Sequence, residues 1–197
     1  YIPAGITFGI LSGESGILLA DTVGFSGLVF AGASQFMAVN LIASGVSSYQ
    51  IVIATLLLNF RHFLMSASLA PRQTSHNRLV RAILAYGITD ETFAVASTKP
   101  SFGPGYMAGL NVTAWLSWLI GTLVGYLAGS ILPADLESAM GVAIYSLFAS
   151  LLAPIVRRSF TMLIPAVLAA GIHLVLTTGT SLSRGWAFVA AVVAAGI

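Results

Sequence analysis

The sequence predicts an all-α polytopic membrane protein, and three observations carry that expectation. Hydrophobic residues make up 57% of the chain and charged residues only 7%, where soluble domains carry about 25% charged residues. The apolar residues gather into about seven or eight runs separated by Gly, Pro or charge. Several of these runs carry breaks, so broken or re-entrant helices are expected, and a bilayer tolerates those only where protein or water surrounds them.

The first segment covers Tyr1 to about Ser12 and is expected to be broken by Pro3, Gly5 and Gly9. After a loop with Glu14 and Gly16, Asp21 stands at the start of the second segment, where its charge suits the helix dipole. The second segment runs from about Thr22 to Ser44, and the third from about Tyr49 to Ala70, ended by Pro71. The fourth, Ala82 to Ser97, is short and interrupted by Gly87, Thr89, Asp90, Glu91 and Thr92. The fifth runs from about Tyr106 to Ile131, and the sixth from about Ala139 to Val156. Two more helices are expected at 160–178 and 186–197. Tyr1 is no initiator methionine and Ile197 stops inside an apolar run, so both ends are expected to be trimmed.

The whole of 1–197 reads as a single membrane-embedded domain with a weak internal repeat. Leu64-Met-Ser-Ala-Ser-Leu-Ala-Pro71 resembles Leu147-Phe-Ala-Ser-Leu-Leu-Ala-Pro154, each followed by arginine. The candidate repeat units are 1–71 and 82–154.

Orientation follows from cations, which collect on the cytoplasmic side. Arg72, Arg78 and Arg81 follow the third segment, and Arg157 and Arg158 follow the sixth. Both clusters face the cytoplasm if the fourth segment enters and returns; Lys99 then joins them, and Asp135 and Glu137 face outside. Eight full crossings would put Arg157 and Arg158 outside instead. The re-entrant version is preferred.

Charge inside the apolar runs marks the candidate site. Arg61 lies in the middle of a run long enough to span a bilayer, where an arginine costs roughly 2.5–3.5 kcal/mol on insertion scales. Its planar fork suits a substrate carboxylate, and the competing reading pairs it with Asp90 or Glu91. Asn59, His62 and Ser66 share the opposite face of the same helix. His62 reads either as a proton relay or as a hydrogen-bonded packing histidine. Thr89 is placed to cap a half-helix starting near Asp90, whose end could receive an anion. Asp90 and Glu91 then serve proton coupling or amine recognition, or merely offset Arg61 and Arg81. Ser34 and Gln35 either contact substrate or bond neighbouring helices, since a buried amide needs partners. Phe36, Phe60, Leu64 and Phe93 are expected to suit an aliphatic side chain. Trp115 and Trp118 read as packing residues.

Other chemistries lack support. Cysteine is absent, removing disulfides and thiolate sites. No zinc-protease spacing, phosphate loop or nucleophile–base pair is present, so neither a metal, a cofactor nor enzymatic catalysis is expected. The net charge of +2 comes without a basic patch interleaved with aromatics, so no nucleic-acid partner is expected.

Ala31-Gly-Ala-Ser-Gln-Phe36, Asn59-x-Arg61-His62 and Gly87-x-Thr89-Asp90-Glu91-x-Phe93 together resemble the AzlC family of branched-chain amino-acid exporters. Tyr1-Ile-Pro3 followed by Phe8-Gly9 is similar to that family's first segment, and the likeness covers essentially the whole chain. The resemblance implies a multi-pass permease subunit in a prokaryotic cytoplasmic membrane, working with a small hydrophobic AzlD-type subunit. It implies proton-driven export of valine, leucine, isoleucine and sometimes methionine. If relatives carry an aspartate at the position of Asn59, a proton-carrying role there falls to Asp90, Glu91 or His62. A passive channel for a small polar solute and a non-transporting membrane scaffold are the alternatives.

Overall fold

The computed structural model describes residues 1–129 and 160–179, with isolated helical positions in the remainder of the chain. Helix dominates the described residues, in keeping with the all-α expectation. Among the described residues, two helices are long and apolar enough to cross a membrane, Ser48–Arg72 with its 3-10 end and Pro104–Gly129. The chain divides into two compact units, Tyr1–Gln35 with Leu58–Ile131, and Phe36–Leu57 with Leu132–Ile197. In the second unit the helix Leu163–Gly179 occupies the expected seventh segment. Asp135, Glu137, Arg158, Trp186 and most of the sixth segment and of the second repeat motif lie outside the described residues.

The first unit is built on α1 (Ile2–Glu14) and α7 (Pro104–Gly129). Here the expected break in the first segment does not occur. Pro3 falls in the opening turn of a continuous helix, where its missing N–H costs nothing. Gly5 and Gly9 are contact residues rather than breakers. A Cβ at Gly9 would lie 2.1 Å from the Thr122 carbonyl oxygen, and one at Gly125 would lie 2.0 Å from that of Ile6. Gly5 meets Gly121, and Gly129 meets Ile10, so the two helices run side by side in the same direction. Small residues at every fourth position let backbones approach this closely in lipid, where packing rather than water release drives association.

The second segment, expected to be one helix, is two: α2 (Leu19–Leu28) and α3 (Gly32–Ala43). Asp21 lies in the first turn of α2. At the break Phe30 takes a φ of +42°, left-handed backbone that a bulky residue adopts only when its surroundings hold it there. Polar side chains satisfy what the break leaves open. The Ala31 N–H donates to Gln35 Oε1 at 3.1 Å, and Ser34 Oγ donates to the Ala31 carbonyl at 2.9 Å.

The third segment is α4 (Ser48–Leu69), continued by a 3-10 turn to Arg72. The fourth is interrupted as its composition suggests: α5 (Arg78–Tyr86) and α6 (Asp90–Ala96) flank an open turn at Gly87–Thr89. Gln73 and Phe102 form a parallel bridge, reinforced by Thr74 N donating to Phe102 O and Phe102 N donating to Arg72 O. Arg72 Nη1 also donates to the Ser97 carbonyl at 2.5 Å. The end of α4 is thereby tied to the start of α7, so the α5–α6 hairpin returns to the side from which it left.

Candidate functional site

Three helix ends meet about halfway along α7. Trp115 Nε1 donates to the Gly27 carbonyl at the end of α2 at 3.0 Å. Tyr86 Oη, at the end of α5, is 2.9 Å from the same carbonyl and 2.8 Å from that of Leu28. Tyr1, at the head of α1, stacks on Phe30 and packs edge-on against Trp118, with both centroid separations 5.9 Å. Its hydroxyl donates to Glu91 Oε2 at 2.6 Å and contacts Thr89 Oγ1. Both interrupted segments thus end against each other, with Tyr1 joining them.

Thr89 and Thr92 form a reciprocal capping box at the head of α6, each hydroxyl accepting from the other's backbone N–H. The backbone N–H groups of Thr89 and Thr92 are therefore already engaged. Asp90 points to α4 instead, and its Oδ2 lies 2.9 Å from Arg61 Nη2. The pair is partly accessible, with about a third of each side chain exposed (32% and 28%). Next to it His62 Nδ1 bonds the Ile88 carbonyl at 2.8 Å, gripping the open turn between α5 and α6. On α4, Arg61 Nε, His62 Nε2 and Asn59 Oδ1 are buried without hydrogen-bond partners, Asn59 and His62 on one face of the helix and Arg61 on another. Buried polar atoms left unmatched cost about 1–3 kcal/mol each, so each of these calls for a partner.

The sequence candidates therefore separate into two groups. Arg61, His62, Asp90, Thr89 and Glu91 surround the α5–α6 turn. Ser34 and Gln35 are fully buried at the other break, and Gln35 Nε2 donates to Ser26 Oγ, which in turn meets Thr122 Oγ1 of α7. Ser34 Oγ and Gln35 Oε1 are committed to Ala31 at the break itself, and Gln35 Nε2 to α2. Phe60 and Leu64 do not wall the Arg61 site, because both project from α4 with 59% and 57% of their surface exposed. Sequence reasoning missed Tyr1, Tyr86 and Asn111. Asn111 is the clearest omission: a lone amide in an apolar segment, it is buried, and its Nδ2 donates to the Leu84 carbonyl at 2.8 Å. Trp115 does more than pack, since it also caps α2.

A family model described as AzlC protein matches residues 1–132, more than half of the chain. The chain belongs to the AzlC family. Among its relatives, the inner membrane protein YgaZ of Escherichia coli is 31% identical over 182 residues, covering 87% of this chain and 74% of the relative. A membrane protein of Archaeoglobus fulgidus is 36% identical over 156 residues, covering 78% of this chain and 68% of the relative. The branched-chain amino acid transport protein AzlC of Bacillus subtilis is 24% identical over 141 residues, covering 70% and 55%. No solved structure matches the chain. Membership of this family makes the chain a membrane protein, and one of its relatives carries the name of a transport protein.

Proposed function

We propose that this chain is the permease subunit of a secondary transporter that exports branched-chain amino acids across a prokaryotic cytoplasmic membrane. Valine, leucine and isoleucine are the preferred cargo, with methionine a further candidate. Proton entry drives the cycle, and a small hydrophobic AzlD-type membrane subunit completes the working unit. The supporting observation is the Arg61–Asp90 pair at 2.9 Å, with Arg61 partway along a membrane-length helix.

An amino acid is itself a paired cation and anion. Its carboxylate can take the place of Asp90 on the Arg61 fork, and its ammonium can take the place of Arg61 on Asp90. Substrate arrival then exchanges one ion pair for two, so neither protein charge is left bare in a poorly solvated place. A proton on Asp90 removes the anionic partner and biases the site between its empty and loaded states. His62, holding the Ile88 carbonyl, transmits that change to the α5–α6 turn. Orientation follows the arginines, with Arg72, Arg78, Arg81 and Lys99 on the cytoplasmic side.

The test is counterflow of labelled leucine in proteoliposomes containing the full-length protein and its small partner. Arg61→Lys is expected to lose most of the flux, because a point charge cannot reproduce a two-pronged contact. Wild-type flux in that variant would reject the clamp.

A further inference from the structure

A half-open cavity lies beside the candidate site, with both Ile88 and Arg81 in its lining. It has a volume of about 280 Å³ and is bounded by the last turns of α4, by α5 and by the start of α7. Leu84, Ile88, Phe102 and Met107 give it an apolar body, while Ser66 and Arg81 supply polar groups. No acidic side chain is among its described lining residues. Arg81 is half-buried and makes only a long contact, Nη2 to the Ala70 carbonyl at 3.4 Å. Among the described residues no carboxylate is paired with Arg81, which lines the cavity.

The inner wall has a direct connection to the candidate site. Ile88 is among the residues that line the cavity, and its carbonyl bonds His62. Ser66 lies one helical turn beyond His62 on the same face of α4.

We infer that this cavity is a cytoplasmic waiting subsite that takes a short branched aliphatic carboxylate, with Arg81 binding the carboxylate and the apolar wall receiving the carbon chain. This inference rests on the transport reading above and adds a step to it. The chemistry differs from that of the Arg61–Asp90 pair in one respect. A cavity with a cation and no acid recognises a carboxylate whether or not an amine accompanies it, whereas the pair needs both charges.

The chain contains no cysteine, so a single introduced thiol reports alone. Ser66→Cys, or Ala67→Cys should the first fold poorly, is labelled with a thiol reagent in inside-out vesicles containing the full-length protein. Isovalerate and leucine are expected to slow labelling about tenfold, and isoamylamine to leave it unchanged. Arg81→Gln should abolish that protection, and Arg81→Lys should restore part of it. In flux measurements Arg81→Gln should raise the leucine concentration for half-maximal export about tenfold with little change in maximal rate. Equal protection by the amine, or protection that survives Arg81→Gln, would overturn the inference. So would protection by a long-chain fatty acid but not by isovalerate, which assigns the cavity to lipid. If isovalerate protects but leucine counterflow is absent, the carboxylate subsite stands and the transport reading fails. If counterflow proceeds and isovalerate gives no protection, the reverse holds.

Discussion

Tyr86 Oη stands 2.8 Å from the carbonyl oxygen of Leu28, so the last residue of α5 closes the exposed end of α2. Each partner comes from an interrupted segment, and each interruption leaves backbone groups without an intrahelical bond. In lipid those groups have no water to turn to. The bond therefore stabilises both breaks at once. Tyr86→Phe keeps the ring and removes the hydroxyl, and it should cost about 1 kcal/mol. A fall of a few degrees in the thermal midpoint of the purified protein is the expected reading, and an unchanged midpoint would show that Trp115 alone caps α2.

The glycine seam predicts a sharp difference between glycines. Gly9→Val inserts atoms where the Thr122 carbonyl already lies and should destabilise the fold by roughly 1–3 kcal/mol or more. Gly24 has open space where its Cβ would stand, so Gly24→Val should be close to neutral. Thermal unfolding of the two variants in one detergent compares them directly, and equal losses would contradict the seam.

Asp90 and Glu91 are adjacent but bonded differently, Asp90 to Arg61 and Glu91 to Tyr1 and Thr89. The charged and titratable groups gathered around Asp90 are Arg61, Glu91, Tyr1 and His62. Asp90→Asn should flatten the pH dependence of leucine flux and leave Arg61 unpaired. Glu91→Gln keeps the ion pair and should preserve the pH profile while slowing transport, through looser seating of Tyr1. Identical flat profiles would remove both residues from coupling.

The bridge between Gln73 and Phe102 makes the return of the α5–α6 hairpin testable. Cysteines placed at these two positions in the cysteine-free chain should cross-link under mild oxidation. Single cysteines at Thr74 and Ser101 should react with an impermeant reagent from the same face of the membrane. Labelling from opposite faces would restore a full crossing for this segment.

Much of this was legible because it rests on local chemistry. Gly87 and the cluster from Thr89 to Thr92 interrupt an apolar run, and such a run cannot remain one helix. Arg61 and Asp90 announce themselves by charge in apolar surroundings, although sequence alone left the partner of Arg61 open between Asp90 and Glu91. The α2–α3 break was not legible. Its residues, Val29-Phe30-Ala31, are apolar and carry no proline, and the conformation of Phe30 depends on Tyr1 and on the Gln35 amide folding back. The glycines of α1 misled in the opposite direction. Whether a glycine ends a helix or presses it against another depends on α7, more than a hundred residues later in the chain.

Backbone pressed on backbone between α1 and α7 also has a kinematic consequence. Sliding one helix past the other by a single residue would drive side chains such as Ile6 and Thr122 into positions that only a hydrogen atom can occupy. The pair therefore acts as a fixed post, and any alternation between inward- and outward-open shapes must be carried by parts that pivot against it. Because Tyr1 rides on that post and grips Glu91, the tip of the returning hairpin is moored to the least mobile part of the unit, while Arg61 approaches it from a separate helix.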